Sequence, residues 1–254
     1  MTSRWGARAL ISFMVVLLVG PFLLLPIQAF SDEWRAPAIW PQRIGTRGLD
    51  RVLADSLLPE AILNSLIVAT IASIVGLIVA WPAARALGSR TLQTSWFIIL
   101  LPLLLPPLVI GEGLRVWFLR IGLADSIAGL VIAHLVFVVP YCIIVLAPGF
   151  TNELRNRELA AMTLSGDHGQ RLASVTIPAL ARPIMLALAL GFTISWSQYG
   201  TSLGVGGGVP MLPIVFVPIV RADPQVAAVL DAVVILPPLL VLVASQRSGV
   251  LRTS

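Results

Sequence analysis

Six stretches of continuous apolar sequence, at about residues 9–30, 61–83, 95–118, 126–148, 183–203 and 226–245, alternate with segments where polar and charged residues collect. A helix rising 1.5 Å per residue needs roughly 20 residues to cross a hydrocarbon core of about 30 Å, and each stretch can do so. None shows the period-two alternation of a barrel strand. The pattern therefore predicts an all-α polytopic membrane protein of about six transmembrane helices, with residues 1–254 as one transmembrane domain. The first stretch follows Arg4 and Arg8 and ends near Ile27-Gln28-Ala29, loosely like a secretory signal. It is longer than the apolar region of such a signal, about 7–15 residues, and reads as a first membrane helix.

One polar segment breaks the simple alternation of spans and loops. The connection from Glu153 to Pro183 is long for a helix–helix link and too patterned for a disordered one. Leu154, Leu159, Ala161, Leu164, Leu172 and Val175 alternate with polar residues at roughly helical spacing, and Ser165-Gly166-Asp167 interrupts them. Asp167 is placed to cap a second short helix through about Thr176, which Pro178 and Pro183 would stop before the next span begins. The segment reads as helix, tight turn, helix at a membrane face, with small residues at Ala160, Ala161 and Gly166 permitting close backbone approach. Such an element either fills a groove on a partner or rests on lipid as an amphipathic segment.

Composition supports the membrane assignment: 57% of residues are hydrophobic, 11% are charged and the mean hydropathy is +0.95. The net charge of +5 does not point to nucleic acid, because all seventeen basic residues are arginines scattered over loops rather than gathered in a stripe. Positive charge favours cytoplasmic loops, and with the N-terminus inside the inner segments hold ten arginines, including Arg85, Arg155, Arg157, Arg171 and Arg182, against six outside. Both termini are expected inside. The outer loop 31–60 carries Trp34 and Trp40, suited to the membrane–water boundary. Cys142, the only cysteine, excludes an intramolecular disulfide, and the absence of GxxxxGK[ST] excludes a P-loop.

Residues 153–178 resemble the EAA loop of binding-protein-dependent ABC importer permeases, whose pattern is roughly Glu-Ala-Ala, three residues, Gly, then a spaced hydrophobic-x-hydrophobic-Pro. Anchored on Pro178, the match puts Ala160-Ala161 on the alanines and Val175-Thr176-Ile177-Pro178 on the ending. Leu159 falls where the family has its glutamate, with Glu158 one residue early, and Ser165 falls on the glycine, with Gly166 one residue late. Asn64-Ser65, Pro82-Ala83-Ala84, the Leu105–Pro107 run and Pro140-Tyr141 agree with the family, and the resemblance spans about residues 55–245. Around Tyr199, Gly206-Gly207-Gly208 and Leu212-Pro213 the chain looks most like the polyamine, ferric-iron, thiamine and phosphonate branch.

The resemblance implies a non-enzymatic permease of MetI-like fold in a bacterial inner membrane. Two separate ABC ATPase subunits would hold ATP and magnesium, and the chain itself would need no cofactor. A second permease copy or a homologous permease would complete the pore, and an extracytoplasmic binding protein would deliver the solute. It further implies that Glu158, Ala160, Ala161, Ser165, Gly166, Asp167 and Pro178 couple the permease to the ATPase.

Ionisable groups inside spans are candidates for the translocation path, because burying charge in lipid is costly. Glu112 and Arg115 lie three apart and can pair on one face; Asp231 lies early in the sixth span and His134 deep in the fourth. Each is either a path residue or a structural partner for another helix. Asn64 opens the second span. The fifth carries Thr193, Ser195, Ser197, Gln198, Tyr199, Thr201 and Ser202, which either line a solvated path or bind helices together. No metal cluster or catalytic set stands out. A self-sufficient secondary transporter or channel is the alternative, and it would need a mid-membrane coupling group that only His134 offers. An intramembrane enzyme would have to rest on Ser195 and His134.

Overall fold

The computed structural model describes residues 2–88, 93–163 and 167–247. Helices dominate: α1 Thr2–Ala29, α2 Arg47–Ala54, α3 Leu58–Gly88, α4 Gln93–Leu100, α5 Pro107–Ile121, α6 Ile127–Leu146 and α7 Asn152–Thr163 lead into a second group. That group comprises α8 His168–Arg171, α9 Ile177–Ala179, α10 Ala181–Trp196, α11 Gly200–Val205, α12 Leu212–Ala222 and α13 Pro224–Arg247. Strands β1 Ser31–Glu33 and β2 Arg43–Ile44 form one antiparallel pair. Four helices are long and apolar enough to cross a membrane, or up to six if each of two bent pairs is one span.

The chain divides into two compact units, the first made of Met1–Pro59 and Val215–Leu236, the second of the remainder. In the first, Ala29, Ala228 and Val229 form a small core with Leu25 and Val52. Arg47 and Arg51, one turn apart on α2, both bind the Asp223 carboxylate, Arg47 through two nitrogens at 3.0 and 3.1 Å. Asp223 also accepts from the backbone N–H groups of Gln225 and Val226, so one carboxylate caps α13 and fastens α2. α1 leaves Leu17, Leu18, Phe22 and Leu23 exposed, the surface of a helix that faces lipid or another chain.

In the second unit α6 is the central helix. Leu130, Val138, Cys142 and Leu146 on it are buried together with Val68, Ala72, Ala80 and Ala84 of α3 and Ala187 of α10. Close packing of α5 on α11 depends on absent side chains: a Cβ on Gly204 would lie 2.5 Å from the Gly111 carbonyl carbon, and one on Gly200 would lie 2.6 Å from the Leu108 nitrogen. Gly200 and Gly204 are four apart, the small-xxx-small spacing that lets membrane helices touch backbone to backbone.

Three segments differ from the pattern-based expectation. The stretch 95–118 is two helical pieces that meet at 96°, because Leu105 and Pro106 each precede a proline and are pushed out of the helical region, to ψ 141° and 132°. The fifth stretch, 183–203, is helical as α10 only to Trp196. The Ser197 hydroxyl donates back to the Thr193 carbonyl at 2.9 Å, the chain turns, and α11 begins separately. A further apolar helix, α12, occupies what the pattern leaves as a loop before 226.

Candidate functional site

The elbow between α6 and α10 is built from two arms. α7 turns Leu154 inward, with Glu158 and Ala161 half-buried at the i+4 and i+7 positions, while Ala160, Leu159 and Met162 stay exposed. Ser165 and Gly166 lie outside the described residues. Asp167 stands at the N-cap of α8 as its sequence position suggests, but its side chain makes no capping hydrogen bond. The second arm does not stop at Pro178. A wide π turn at Leu172–Thr176 carries α8 into α9, Pro178 sits in the first turn of α9, and the arm ends at Leu180 before a 76° bend into α10. The fixed φ of proline suits the helical backbone there, and Pro178 does not break the arm.

Glu158 is the meeting point of these pieces. Its carboxylate takes both terminal nitrogens of Arg85 near the end of α3, Nη1 to Oε1 at 3.2 Å, in a two-pronged ion pair. It also accepts from the buried Thr176 hydroxyl at 2.6 Å. The Arg85 guanidinium lies 5.9 Å from the centre of the Phe150 ring, whose edge packs on Trp81 at 5.4 Å. A recess of about 610 Å³ opens beside the pair, lined by residues that include Arg155, Leu159, Met162, His168 and Arg171. Glu158 therefore spends its hydrogen-bonding capacity inside the chain.

The candidate path residues fall into separate places. His134 is fully buried and meets Ser195 at Nδ1, 2.7 Å, and Ser202 at Nε2, 3.0 Å. Ser202 donates to the Gln198 carbonyl at 2.5 Å, and a carbonyl can only accept, so Ser202 accepts from Nε2–H. The imidazole joins α6 to α10 and α11. Ser195 and His134 do touch, but Ser202 rather than a carboxylate holds the far ring nitrogen, and all three side chains are closed to solvent. Such an arrangement fastens helices to one another.

Asn64 donates to the Pro210 carbonyl at 3.0 Å, and neighbouring Ser65 accepts from the Leu212 N–H at 2.9 Å, so the pair anchors the start of α12. Glu112 is exposed on α5, and Arg115 donates to the Gly204 carbonyl at 3.2 Å rather than pairing with it. Gln198 is buried, Tyr199 is partly exposed, and Asp231 is half-buried in the first unit. Among the described residues no group of three or more His, Cys, Asp or Glu could hold a metal. Sequence reasoning missed Arg85, Thr176, Ser202 and Asp223 as partners, since each pairing spans a distance in sequence that no local pattern records.

No protein-family model matches the chain. It is 31% identical over 160 residues to the inner membrane ABC transporter permease protein YnjC of Escherichia coli, covering 62% of this chain and 30% of that protein. It is 33% identical over 152 residues to the molybdenum transport system permease protein ModB of Azotobacter vinelandii, covering 54% of this chain and 66% of the relative. To the putrescine transport system permease protein PotI of Escherichia coli it is 28% identical over 236 residues, covering 85% and 83%. The chain thus spans about a third of the first of these and just under two thirds of the second. A bacterial ABC transporter involved in the import of the acidic polysaccharide alginate shares the fold, with a TM-score of 0.74 at 18% identity over 97% of this chain and 96% of that one. Its apolar helices and these likenesses mark the chain as a multi-pass membrane protein that is similar in sequence to ABC transporter permeases and shares the fold of an ABC importer structure.

Proposed function

We propose that this chain is the membrane-spanning permease subunit of an ABC importer, forming with a second permease the path for a small solute. A separate pair of ATPase subunits supplies the energy, and an extracytoplasmic binding protein delivers the cargo. Both termini and the elbow 152–179 lie on the cytoplasmic side of a bacterial inner membrane. Permeases are not enzymes, and ATP hydrolysis with its magnesium belongs to the partner. The relatives are named for different cargoes, molybdenum and putrescine among them, so the solute is proposed only as small.

One observation carries the reading: α7 hides Leu154 and Glu158 yet leaves Leu159 and Met162 exposed around Ala160, on a polar segment outside the long apolar helices. An exposed apolar pair beside a small residue is a docking face for another protein. Gradient-driven transport by this chain alone gains no support from His134, whose ring nitrogens are both occupied.

The test is co-purification with an ABC ATPase from the cells that make this chain. Wild type is expected to retain the ATPase in detergent, and the double variant Leu159→Glu/Met162→Glu to lose it while permease remains in the membrane. Equal ATPase recovery from both would refute docking through α7.

A further inference from the structure

We propose that Arg85, Glu158 and Thr176 form a strut that makes the cytoplasmic elbow and the end of α3 move as one body, so that a push on the elbow reaches the membrane helix undiminished. The inference rests on the permease reading above and assigns to three side chains a positioning role within it.

Three features of the contact support a strut rather than a surface ion pair. First, the geometry is two-pronged: both Arg85 terminal nitrogens meet both Glu158 oxygens, which fixes the relative rotation of α3 and α7 as a single-point contact cannot. Second, Glu158 is shielded. Its side chain is only 13% exposed, against 74% for Glu153 in the neighbouring Glu153–Arg157 pair, so water competes far less for it. Third, Thr176 contributes from the opposite arm at 2.6 Å, and its side chain is buried. The carboxylate therefore ties together three segments far apart in sequence: α3, α7 and the wide turn ahead of α9.

The surroundings stiffen the contact. Phe150, buried in the main core, stands between Trp81 and the Arg85 guanidinium, which limits the rotamers open to the arginine. A Cβ on Gly88 would lie 2.3 Å from the Ala147 carbonyl oxygen and 2.7 Å from Phe150 Cβ, so the last turn of α3 already touches the base of the elbow. With the strut in place the elbow has no hinge of its own toward α3.

The experiment uses the permease–ATPase complex in lipid nanodiscs, with spin labels on introduced cysteines at Ala86 on α3 and Arg157 on α7, both exposed positions. Native Cys142 is buried and stays unlabelled. In the otherwise wild-type complex the label-to-label distance is expected to be a single narrow population, unchanged on adding ATP with vanadate. Arg85→Glu and Glu158→Arg are each expected to lose that narrow population when nucleotide is added, and the exchange variant Arg85→Glu/Glu158→Arg to restore it. Thr176→Val gives an intermediate broadening. Assembly with the ATPase, measured on the same samples, is expected to remain, since a merely structural contact would lower complex yield instead of changing the nucleotide-dependent distance. An unchanged narrow population in both single variants would overturn the strut, as would failure of the exchange variant to restore it. Absence of any ATPase from the wild-type preparation would overturn the permease reading beneath it.

Discussion

His134 shows how a polar side chain survives inside an apolar helix. Burial demands a partner for each ring nitrogen, and Ser195 and Ser202 supply one each, so both nitrogens are paired. Inter-helix hydrogen bonds of this kind in membranes are worth about 0.6–2 kcal/mol each. A double-mutant cycle of His134→Ala with Ser202→Ala, read from unfolding of the detergent-solubilised protein, is expected to give a coupling energy of about 1 kcal/mol. A coupling near zero would mean that the contact does not hold the helices. The sequence marked both His134 and the hydroxyl-rich fifth stretch as unusual. What it could not disclose was that Ser195 and Ser202 turn toward the imidazole while Thr193 and Ser197 return to their own backbone, because which face a residue shares depends on where α10 ends.

Helix existence was largely legible, and helix continuity was not. Long apolar runs such as that of α3 and α6 declare themselves by length and composition alone. The bend at Leu105-Pro106-Pro107 follows from proline sterics that were visible in the chain, yet Pro237-Pro238 stays within α13, so the dipeptide by itself does not decide between kink and break. Likewise the Gly200–Gly204 spacing was present to be read, but only the packed structure reveals that Gly111 is its counterpart. The glycines of α5 and α11 divide accordingly. Gly204→Leu is expected to destabilise the protein by about 1–3 kcal/mol or more, because the new side chain meets Gly111 and Glu112 backbone atoms that cannot yield. Gly113→Leu, with nothing within 4 Å of its Cβ, is expected to be neutral. Thermal midpoints of the two purified variants compare them directly, and equal midpoints would discount the close α5–α11 packing.

Across the molecule, charge placement predicts the orientation. Arg43 is exposed in the segment that follows α1, and Arg157 is exposed on α7. In cells expressing Arg43→Cys or Arg157→Cys, a membrane-impermeant maleimide is expected to label residue 43 in intact cells and residue 157 only after lysis, with buried Cys142 silent throughout. The reverse pattern would invert the proposed topology and remove the elbow from the nucleotide side. The two arms of the candidate coupling segment were legible, since each has a local helical signature. Its internal fastening was illegible, since Arg85 and Glu158 are 73 positions apart and neither carries a local mark of the other.

The wide turn at Leu172–Thr176 has a bearing on that fastening that concerns chain length. A π turn stores one residue more than an ordinary helical turn without interrupting the helix, the usual way for a helix to absorb a single-residue insertion. Thr176 closes that turn, so the length of the turn decides where its hydroxyl meets the Glu158 carboxylate. A chain lacking one residue there, Ala173 for instance, is expected to close to a regular turn with the flanking helix in register. The Thr176 hydroxyl at the end of that turn would then shift against the carboxylate, so the third arm of the strut is expected to depend on that one wide loop of helix being kept.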